Sequence, residues 1–215
     1  MSGDTDELAA TAGAFAVDAV REAVRDHGRF TVAVSGGQTP WAFFRVLRAS
    51  TLPWSAIDVF QVDERIAPPD DPDRNLAHLN AALPQGPTVH PMPVNASDLE
   101  AAADRYGAKL PARFDLIHLG LGSDGHTASL VPGDPVLDVR DRLVAITSPY
   151  RGKRRMTLTY PALERAATVL WLVEGGDQAD ALRRLLAGDP SIPAGRVSVP
   201  HQVVFADRAA APDRT

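Results

Sequence analysis

The sequence predicts a doubly wound α/β fold, in which a mostly parallel sheet carries helices on both faces. Three observations support this prediction. Short β-rich segments alternate with amphipathic helical segments, the first strand leads through a tight loop into a helix, and the same order recurs further along the chain. A length of 215 residues is enough for one sizeable core, so we expect a single domain over residues 1–215.

The first elements give the clearest local signals. Residues 4–27 place apolar side chains at spacings of three and four, which predicts an amphipathic helix ended by Gly28. Residues 30–34 form a short β-rich run. Thr39 can then cap a second helix that has Pro40 in its first turn.

The remaining elements continue the alternation. Further strands are predicted at residues 57–62, 114–119, 143–147, 156–159, 168–173 and 203–206. Further helices are predicted at residues 76–83, 98–110 and 177–187.

The composition argues against several classes of function. Lys and Arg total 22 against 27 Asp and Glu, and the net charge of −5 disfavours nucleic acid as a partner. The chain has no cysteine, which excludes disulfides, thiol nucleophiles and cysteine-ligated metals. The first 30 residues lack a signal-peptide pattern and no apolar run approaches the ~20 residues that span a bilayer, so we expect a cytoplasmic protein outside the membrane.

Ligands of open α/β sheets bind beyond the carboxyl ends of the strands, so polar residues that directly follow a strand are candidates for a site. The first such segment is Ser35, Gly36, Gly37, Gln38 and Thr39. Its two glycines let backbone N–H groups face an anion beside a helix N-terminus, an arrangement suited to phosphate. A tight turn with a helix cap is an equally good interpretation of this segment alone.

The second segment is Asp63, Glu64 and Arg65, which follow the strand ending at Val62. The Arg65 guanidinium can hold a phosphate or a developing oxyanion there. Taken alone, however, the segment favours a surface cluster of ion pairs.

The third segment is the glycine-rich loop of residues 120–126. Its sequence, GLGSDGH, satisfies the G-x-G-x-x-G pattern of dinucleotide-binding loops, but Pro132 and Gly133 interrupt the helix that such a loop requires. We instead favour His126, with Asp124 two residues before it, as the reactive feature. Histidine is the side chain that ordinarily changes charge near neutral pH, so it can act as a general base.

Other chemistry has little support in the sequence. It contains no G-x-S-x-G, H-E-x-x-H or G-x-x-x-x-G-K-[ST] pattern, which argues against serine hydrolases, zinc proteases and P-loop enzymes. We expect the remaining histidines to be structural: His27, His78, His90, His118 and His201.

Four segments together resemble the ordered motif set of 6-phosphogluconolactonases, namely residues 35–40, 62–65, 119–130 and 155–159. The third is the most specific, because the related glucosamine-6-phosphate deaminases look similar up to Gly125 and His126 but lack the Thr-Ala-Ser-Leu run that follows here. The resemblance covers about residues 8–210. It implies a fold shared with those deaminases and with ribose-5-phosphate isomerase.

The resemblance also implies a reaction, the hydrolysis of 6-phosphoglucono-1,5-lactone to 6-phosphogluconate in the oxidative pentose phosphate pathway, without a metal or cofactor. It implies His126 as the general base and Asp124 as a neighbour that orients His126 or the substrate. The implied substrate-binding residues are Ser35, Gly36, Gly37, Gln38, Thr39, Asp63, Arg65, Arg155 and Gln178.

Two positions depart from the family pattern. Arg74 stands where the family often has serine, and Gln178 stands where it usually has a phosphate-clamping lysine. Loss of that ammonium removes a charge-assisted contact to a dianion. Either Arg74 or Arg155 compensates, or the substrate binds more weakly, or the substrate is a different one.

Two alternative functions stay open at this point. An amino-sugar-phosphate deaminase or isomerase would use Asp63 or Glu64 to move a proton between C1 and C2. A sugar-phosphate-binding protein without turnover is the other alternative, supported only by Gln178. All three functions predict a small-molecule sugar-phosphate partner, and the sequence is compatible with a monomer or a homodimer.

Overall fold

The computed structural model describes residues 2–211, without the side chains of residues 2–5 and 38–42. No helix in this range is both long and apolar enough to cross a membrane. The helices are α1 (Ser2–His27), α2 (Gln38–Ala49), α3 (Asn75–Ala82), α4 (Leu99–Gly107), α5 (Tyr160–Leu163) and α6 (Ala179–Leu186). The strands are β1 (Phe30–Val34), β2 (Ile57–Gln61), β3 (Asp63–Arg65), β4 (Thr88–His90), β5 (Phe114–Gly120), β6 (Val144–Ile146), β7 (Arg155–Leu158), β8 (Ala166–Val173) and β9 (His201–Ala206).

The main sheet has six parallel strands in the order β4-β2-β1-β5-β8-β9. The chain moves outward from β1 through β2 to β4, and then returns to pair β5 with the other edge of β1. The strand order therefore reverses between β1 and β5, which is the topological switch point of a doubly wound sheet.

Helices cover both faces of this sheet. Apolar side chains of α1, α2 and α3 pack on one face, against residues such as Leu116 and Leu170. Those of α4, α5 and α6 pack on the other, against residues such as Ile117 and Trp171. Because successive side chains of a strand point to opposite faces, β5 and β8 contribute to both layers and are nearly continuous apolar runs. The predicted fold class is confirmed.

A second, three-stranded antiparallel sheet lies beside the first, in the order β3-β7-β6. The chain crosses between the sheets at Val62, whose N–H donates to Val34 in the main sheet and whose carbonyl accepts from Leu158 in the small one. Residues 63–65, which taken alone favoured a surface cluster of ion pairs, are thus a strand in which Asp63 and Glu64 are buried. Their partners lie about 90 residues away, so no local pattern reports this pairing.

The helix prediction needs one correction. Thr39 is not the cap of α2, because the helix begins at Gln38 and its N-cap residue is Gly37. The structure also contains short elements that were not predicted, among them β4 and α5. The helix α4 ends three residues earlier than expected, and α6 begins two residues later than expected, after a 3-10 turn.

Candidate active site

A cavity of about 350 Å³ opens at the carboxyl edge of the main sheet, next to the switch point between β1 and β5. Ser35 and Gly36 follow β1, Gly120 ends β5, and Gln178 follows β8, and all of them line this cavity. Arg65 and Arg155 reach the cavity from neighbouring strands of the small sheet, where they are directly paired. Both sheets therefore supply side chains to one opening.

His126 lines the cavity from the loop after β5. Its Nδ1 lies 2.5 Å from Asp124 Oδ1, which also accepts the His126 backbone N–H. The loop folds back on itself because Gly122 and Gly125 donate backbone hydrogen bonds within it. A Cβ atom at Gly122 would lie 2.1 Å from His126 Nδ1, so only glycine lets the ring pack in this position. Nδ1 donates to the carboxylate, which leaves Nε2 free to accept a proton.

Asp124 is held in its charged form. Partial burial would raise the pKa of this carboxyl, but hydrogen bonds from the ring and backbone of His126 and from Tyr150 outweigh burial and lower the pKa below its ordinary value. The Tyr150 hydroxyl donates to Asp124 Oδ2 at 3.2 Å. A charged Asp124 fixes the orientation of the imidazole and stabilises the imidazolium that forms when His126 accepts a proton.

Asp63 and Arg65 line the cavity from alternate positions of β3. Asp63 is buried, and its Oδ2 accepts a 2.6 Å hydrogen bond from Ser129. Asn75 links the two residues, since its amide N–H donates to Asp63 and its Oδ1 accepts from the Arg65 guanidinium. This network fixes both side chains at the edge of the opening.

Glu64, between them, points the other way. It is fully buried and forms an ion pair with Arg74, whose Nε lies 3.2 Å from Glu64 Oε2. The carboxylate also accepts hydrogen bonds from the Gln61 side chain and from three backbone N–H groups. The Arg74 guanidinium in turn donates to the Ala67 carbonyl and the Asn95 side chain, so it is directed away from the cavity.

The loop after β1 lies close to β5 and to the Asn75 side chain. The Ser35 hydroxyl donates to the His118 carbonyl at 3.1 Å, which ties the start of the loop to β5. A Cβ atom at Gly36 would lie 1.9 Å from Asn75 Oδ1, so a larger residue cannot occupy this position without displacing Asn75. The backbone of this loop leads directly into the positive N-terminal end of α2.

Arg155 and Gln178 contribute unequally to the cavity. The Arg155 guanidinium lies over the Tyr150 ring, with its central carbon 5.1 Å from the ring centroid. Burial lowers the pKa of Arg155, an effect opposed by Asp63, and an arginine remains charged nonetheless. The Gln178 side-chain oxygen accepts the Glu174 backbone N–H at 3.1 Å, which leaves only the uncharged NH₂ group for a ligand.

The cavity is strongly cationic on one side. Arg65, Arg151 and Arg155 all line it, and within residues 2–211 none of these guanidiniums forms a salt bridge with a carboxylate. Three cations without carboxylate partners favour an anionic ligand such as a phosphate.

Residues 3–206 match the family described as glucosamine-6-phosphate isomerases/6-phosphogluconolactonase. The chain belongs to this family. A 6-phosphogluconolactonase from Synechocystis sp. is 40% identical, over 78% of this chain and 76% of the relative. A 6-phosphogluconolactonase from Mycobacterium tuberculosis is 38% identical, over 97% of this chain and 94% of the relative.

Solved structures of the family agree with the fold. A 6-phosphogluconolactonase from Thermotoga maritima is 30% identical and has a TM-score of 0.81, covering 90% of this chain and 94% of that one. A monomeric glucosamine-6-phosphate deaminase has a TM-score of 0.82 at 22% identity, covering 96% and 95%, which shows a shared fold. The resemblance drawn from the motifs is thus confirmed.

The structure brings most of the predicted site residues together. Those that line the cavity are Ser35, Gly36, Asp63, Arg65, His126, Arg155 and Gln178. Asp124 acts on His126 from beside it, and Gly37 is exposed at the cap of α2. The side chains of Gln38 and Thr39 lie outside the described residues. Of the two arginines considered as replacements for the family lysine, Arg155 lines the cavity and Arg74 does not.

Asn75, Tyr150, Arg151 and Asp177 also line the cavity, and the sequence analysis assigned none of them to the site. Asn75 ends the Asp-Arg-Asn segment, in which only the arginine had drawn attention as a departure from the family pattern. Tyr150 and Arg151 lie in the connection between β6 and β7. The one local signal for this hairpin is Gly152, because glycine is typical of the second position of a two-residue turn.

Proposed function

We propose that this member of the family hydrolyses 6-phosphoglucono-1,5-lactone to 6-phosphogluconate, with His126 as the general base. The observation that carries the proposal is the His126–Asp124 pair in a cavity with an arginine-rich wall. A phosphorylated lactone requires both features: a base for water, and cations that bind the remote phosphate. This reaction is a step of the oxidative pentose phosphate pathway.

In the proposed mechanism, His126 Nε2 removes a proton from a water molecule as its oxygen attacks C1 of the lactone. The carbonyl becomes a tetrahedral oxyanion, and Asp124 stabilises the imidazolium formed at the same time. Collapse of this intermediate breaks the bond between C1 and the ring oxygen, which receives the proton from His126. The product is the open-chain acid, and His126 is again neutral.

The arginine side of the cavity supplies the binding energy. Arg155 and the loop of Ser35 and Gly36 are proposed to hold the phosphate, while Arg65 contacts the sugar or the developing oxyanion. A lactone is already reactive toward water, so positioning together with a base worth ~10²–10⁴ in rate is sufficient chemistry. No step of this scheme requires a metal or cofactor.

The deaminase alternative has less support. It needs a carboxylate that moves a proton at C1 and C2, but Glu64 is fully buried, forms an ion pair with Arg74, and accepts hydrogen bonds from Gln61 and from backbone N–H groups. Asp63 lines the cavity, yet its Oδ2 accepts a hydrogen bond from Ser129 and its Oδ1 accepts one from Asn75. Neither carboxylate is therefore placed like a free base.

The deciding experiment is a lactonase assay on freshly generated 6-phosphoglucono-1,5-lactone, corrected for spontaneous hydrolysis, alongside an assay of ammonia release from glucosamine 6-phosphate. We expect lactone hydrolysis well above the spontaneous rate and no ammonia. Ammonia release would favour the deaminase instead. Tight binding of 6-phosphogluconate without turnover of either substrate would favour the non-catalytic binding protein.

A further inference from the structure

The turn between β6 and β7 places an arginine in an unusual backbone conformation at the rim of the cavity. Tyr150 and Lys153 exchange backbone hydrogen bonds of 3.0 and 3.3 Å, which makes Arg151 and Gly152 the two central residues of a tight hairpin turn. Both have positive φ, 50° at Arg151 and 79° at Gly152. Glycine, asparagine and aspartate are the residues that this kind of turn favours, so arginine at the first central position is strained.

Strain of this kind persists where the surroundings hold the segment in place, and it is found preferentially at functional sites. The surroundings here do hold it. On one side, the Lys153 ammonium bonds two carboxylates of the loop before α3, those of Asp71 and Asp73, at 2.8 Å. On the other side, the Tyr150 hydroxyl bonds Asp124 of the histidine loop. The turn is therefore anchored on one side to the loop before α3 and on the other side to the histidine loop.

The Tyr150 ring holds two guanidiniums next to the cavity. The central carbon of Arg151 lies 5.3 Å from the ring centroid, and that of Arg155 lies 5.1 Å from it. Each is within the range of a cation–π contact, which orients a guanidinium without neutralising its charge. Arg151 is exposed and lines the cavity, and within residues 2–211 no carboxylate pairs with it.

On the β8 side of the same cavity, Gln178 carries no charge and Asp177 is acidic. The cationic side chains that could bind a phosphate dianion in this cavity therefore lie on the side of the turn between β6 and β7. Arg155 and Arg65 lie along the strands of the small sheet, and Arg151 extends that cationic surface to the rim.

We propose that Arg151 is a phosphate-binding residue, which the strained turn holds at the rim so that its guanidinium contacts the phosphate group of the substrate. The inference rests on the proposed function in that it takes a sugar phosphate as the ligand. It assigns Arg151 to substrate affinity and specificity, and not to the chemical step.

Arg151→Asn tests the proposal, because asparagine tolerates positive φ and preserves the turn while removing the guanidinium. We expect KM for 6-phosphoglucono-1,5-lactone to rise about tenfold with kcat within a few-fold, since one charge-assisted contact is lost. The unphosphorylated glucono-1,5-lactone should be hydrolysed as before. Arg154→Asn is the matched control, because this neighbouring arginine is exposed and does not line the cavity, and it should leave both activities unchanged.

A second substitution sharpens the test. Gln178→Lys places a cation in the same cavity, so in the Arg151→Asn background it should recover most of the lost affinity for the phosphorylated lactone. Calorimetric titration with 6-phosphogluconate and with gluconate should show the same pattern. Arg151→Asn should weaken binding of the phosphorylated ligand only.

An unchanged KM, or an equal loss with both lactones, would overturn the assignment of Arg151 to the phosphate and leave the proposed lactonase function intact. If the wild-type protein hydrolyses neither lactone, the proposed function fails. The calorimetric comparison of 6-phosphogluconate with gluconate still decides whether Arg151 contacts the phosphate.

Discussion

Two histidines from one strand and the loop that follows it have opposite environments. His118 lies within β5, is fully buried, and stacks on Phe43 with ring centroids 5.8 Å apart. Among the described residues neither of its ring nitrogens has a hydrogen-bond partner. His126 lines the cavity and has a carboxylate 2.5 Å from Nδ1. Burial lowers the pKa of His118 to about 3, so this ring is neutral at any ordinary pH.

The reactivity of a histidine is therefore set by the groups that surround it. His126 has an anion to stabilise its protonated form and an open side from which a substrate can approach. His118 has neither, and its contribution to the site comes through its backbone, whose carbonyl accepts hydrogen bonds from the Ser35 N–H and hydroxyl. The comparison therefore predicts large catalytic effects at one position and effects on stability at the other.

The largest effect is expected for His126→Ala. Loss of the base should lower kcat by ~10²–10⁴ and leave KM within a few-fold, because the phosphate contacts are separate from the base. Steady-state kinetics on the fresh lactone measure both constants. His118→Leu serves as the control, and we expect its kcat to be near that of the wild type. A near-normal kcat in folded His126→Ala would remove this residue from the mechanism.

A smaller loss is expected for Asp124→Asn. The asparagine amide can donate to Nδ1, which would favour the tautomer that carries its proton on Nε2 and is unable to accept one from water. We predict that kcat falls about 10²-fold with little change in KM. A loss below threefold would show that Asp124 does not fix the His126 tautomer.

Much of this site could be predicted from the sequence, because its residues lie directly after strands that are themselves strongly apolar. The loops after β1 and β5 are of this kind, and parallel strands bring their carboxyl ends to one edge. The prediction was less complete where pairing is non-local. Arg65 and Arg155 share the small sheet because β3 pairs with β7, and three charged residues do not resemble a strand by composition.

The environment of His118 was only partly predictable. Its place in an apolar run indicates burial and a structural role, as we expected. The absence of a partner for its ring depends on which side chains of α2 and the sheet surround it, and only the packed structure reports that. In the same way, nothing in the sequence near Glu64 indicates that Arg74 pairs with it inside the protein.

The next effect concerns acid stability. The folded state holds His118 with a pKa near 3, whereas in the unfolded chain the ring binds a proton at its ordinary pKa near ~6.5. The unfolded state therefore takes up more protons as pH falls from about 6.5 toward 3, and stability is lost through that window. On acidification from pH 7 to pH 5, protonation of His118 in the unfolded chain should lower the free energy of unfolding by about 2 kcal/mol.

Urea unfolding of the wild type and of His118→Leu at pH 7 and pH 5 measures this contribution, since the other titrating groups are common to both proteins. The wild type should lose more stability on acidification than the variant does. Equal losses would mean that His118 gains a proton in the folded state as easily as in the unfolded one.

The smallest effect is expected at neutral pH, where His118→Leu should raise the free energy of unfolding by about 1–2 kcal/mol. A buried polar group without a hydrogen bond costs on the order of 1–3 kcal/mol, and leucine has a similar volume and no polar atom to desolvate. For a chain of this length the gain corresponds to a rise in Tm of roughly 2–8 °C.

His118→Asn is the matched comparison, because it keeps a polar group at the same buried position and adds a gap beside Phe43. It should therefore be less stable than the wild type. If His118→Leu is instead less stable than the wild type, then stacking on Phe43 contributes more than the unpaired nitrogens cost. The description of His118 as an unsatisfied group is then wrong.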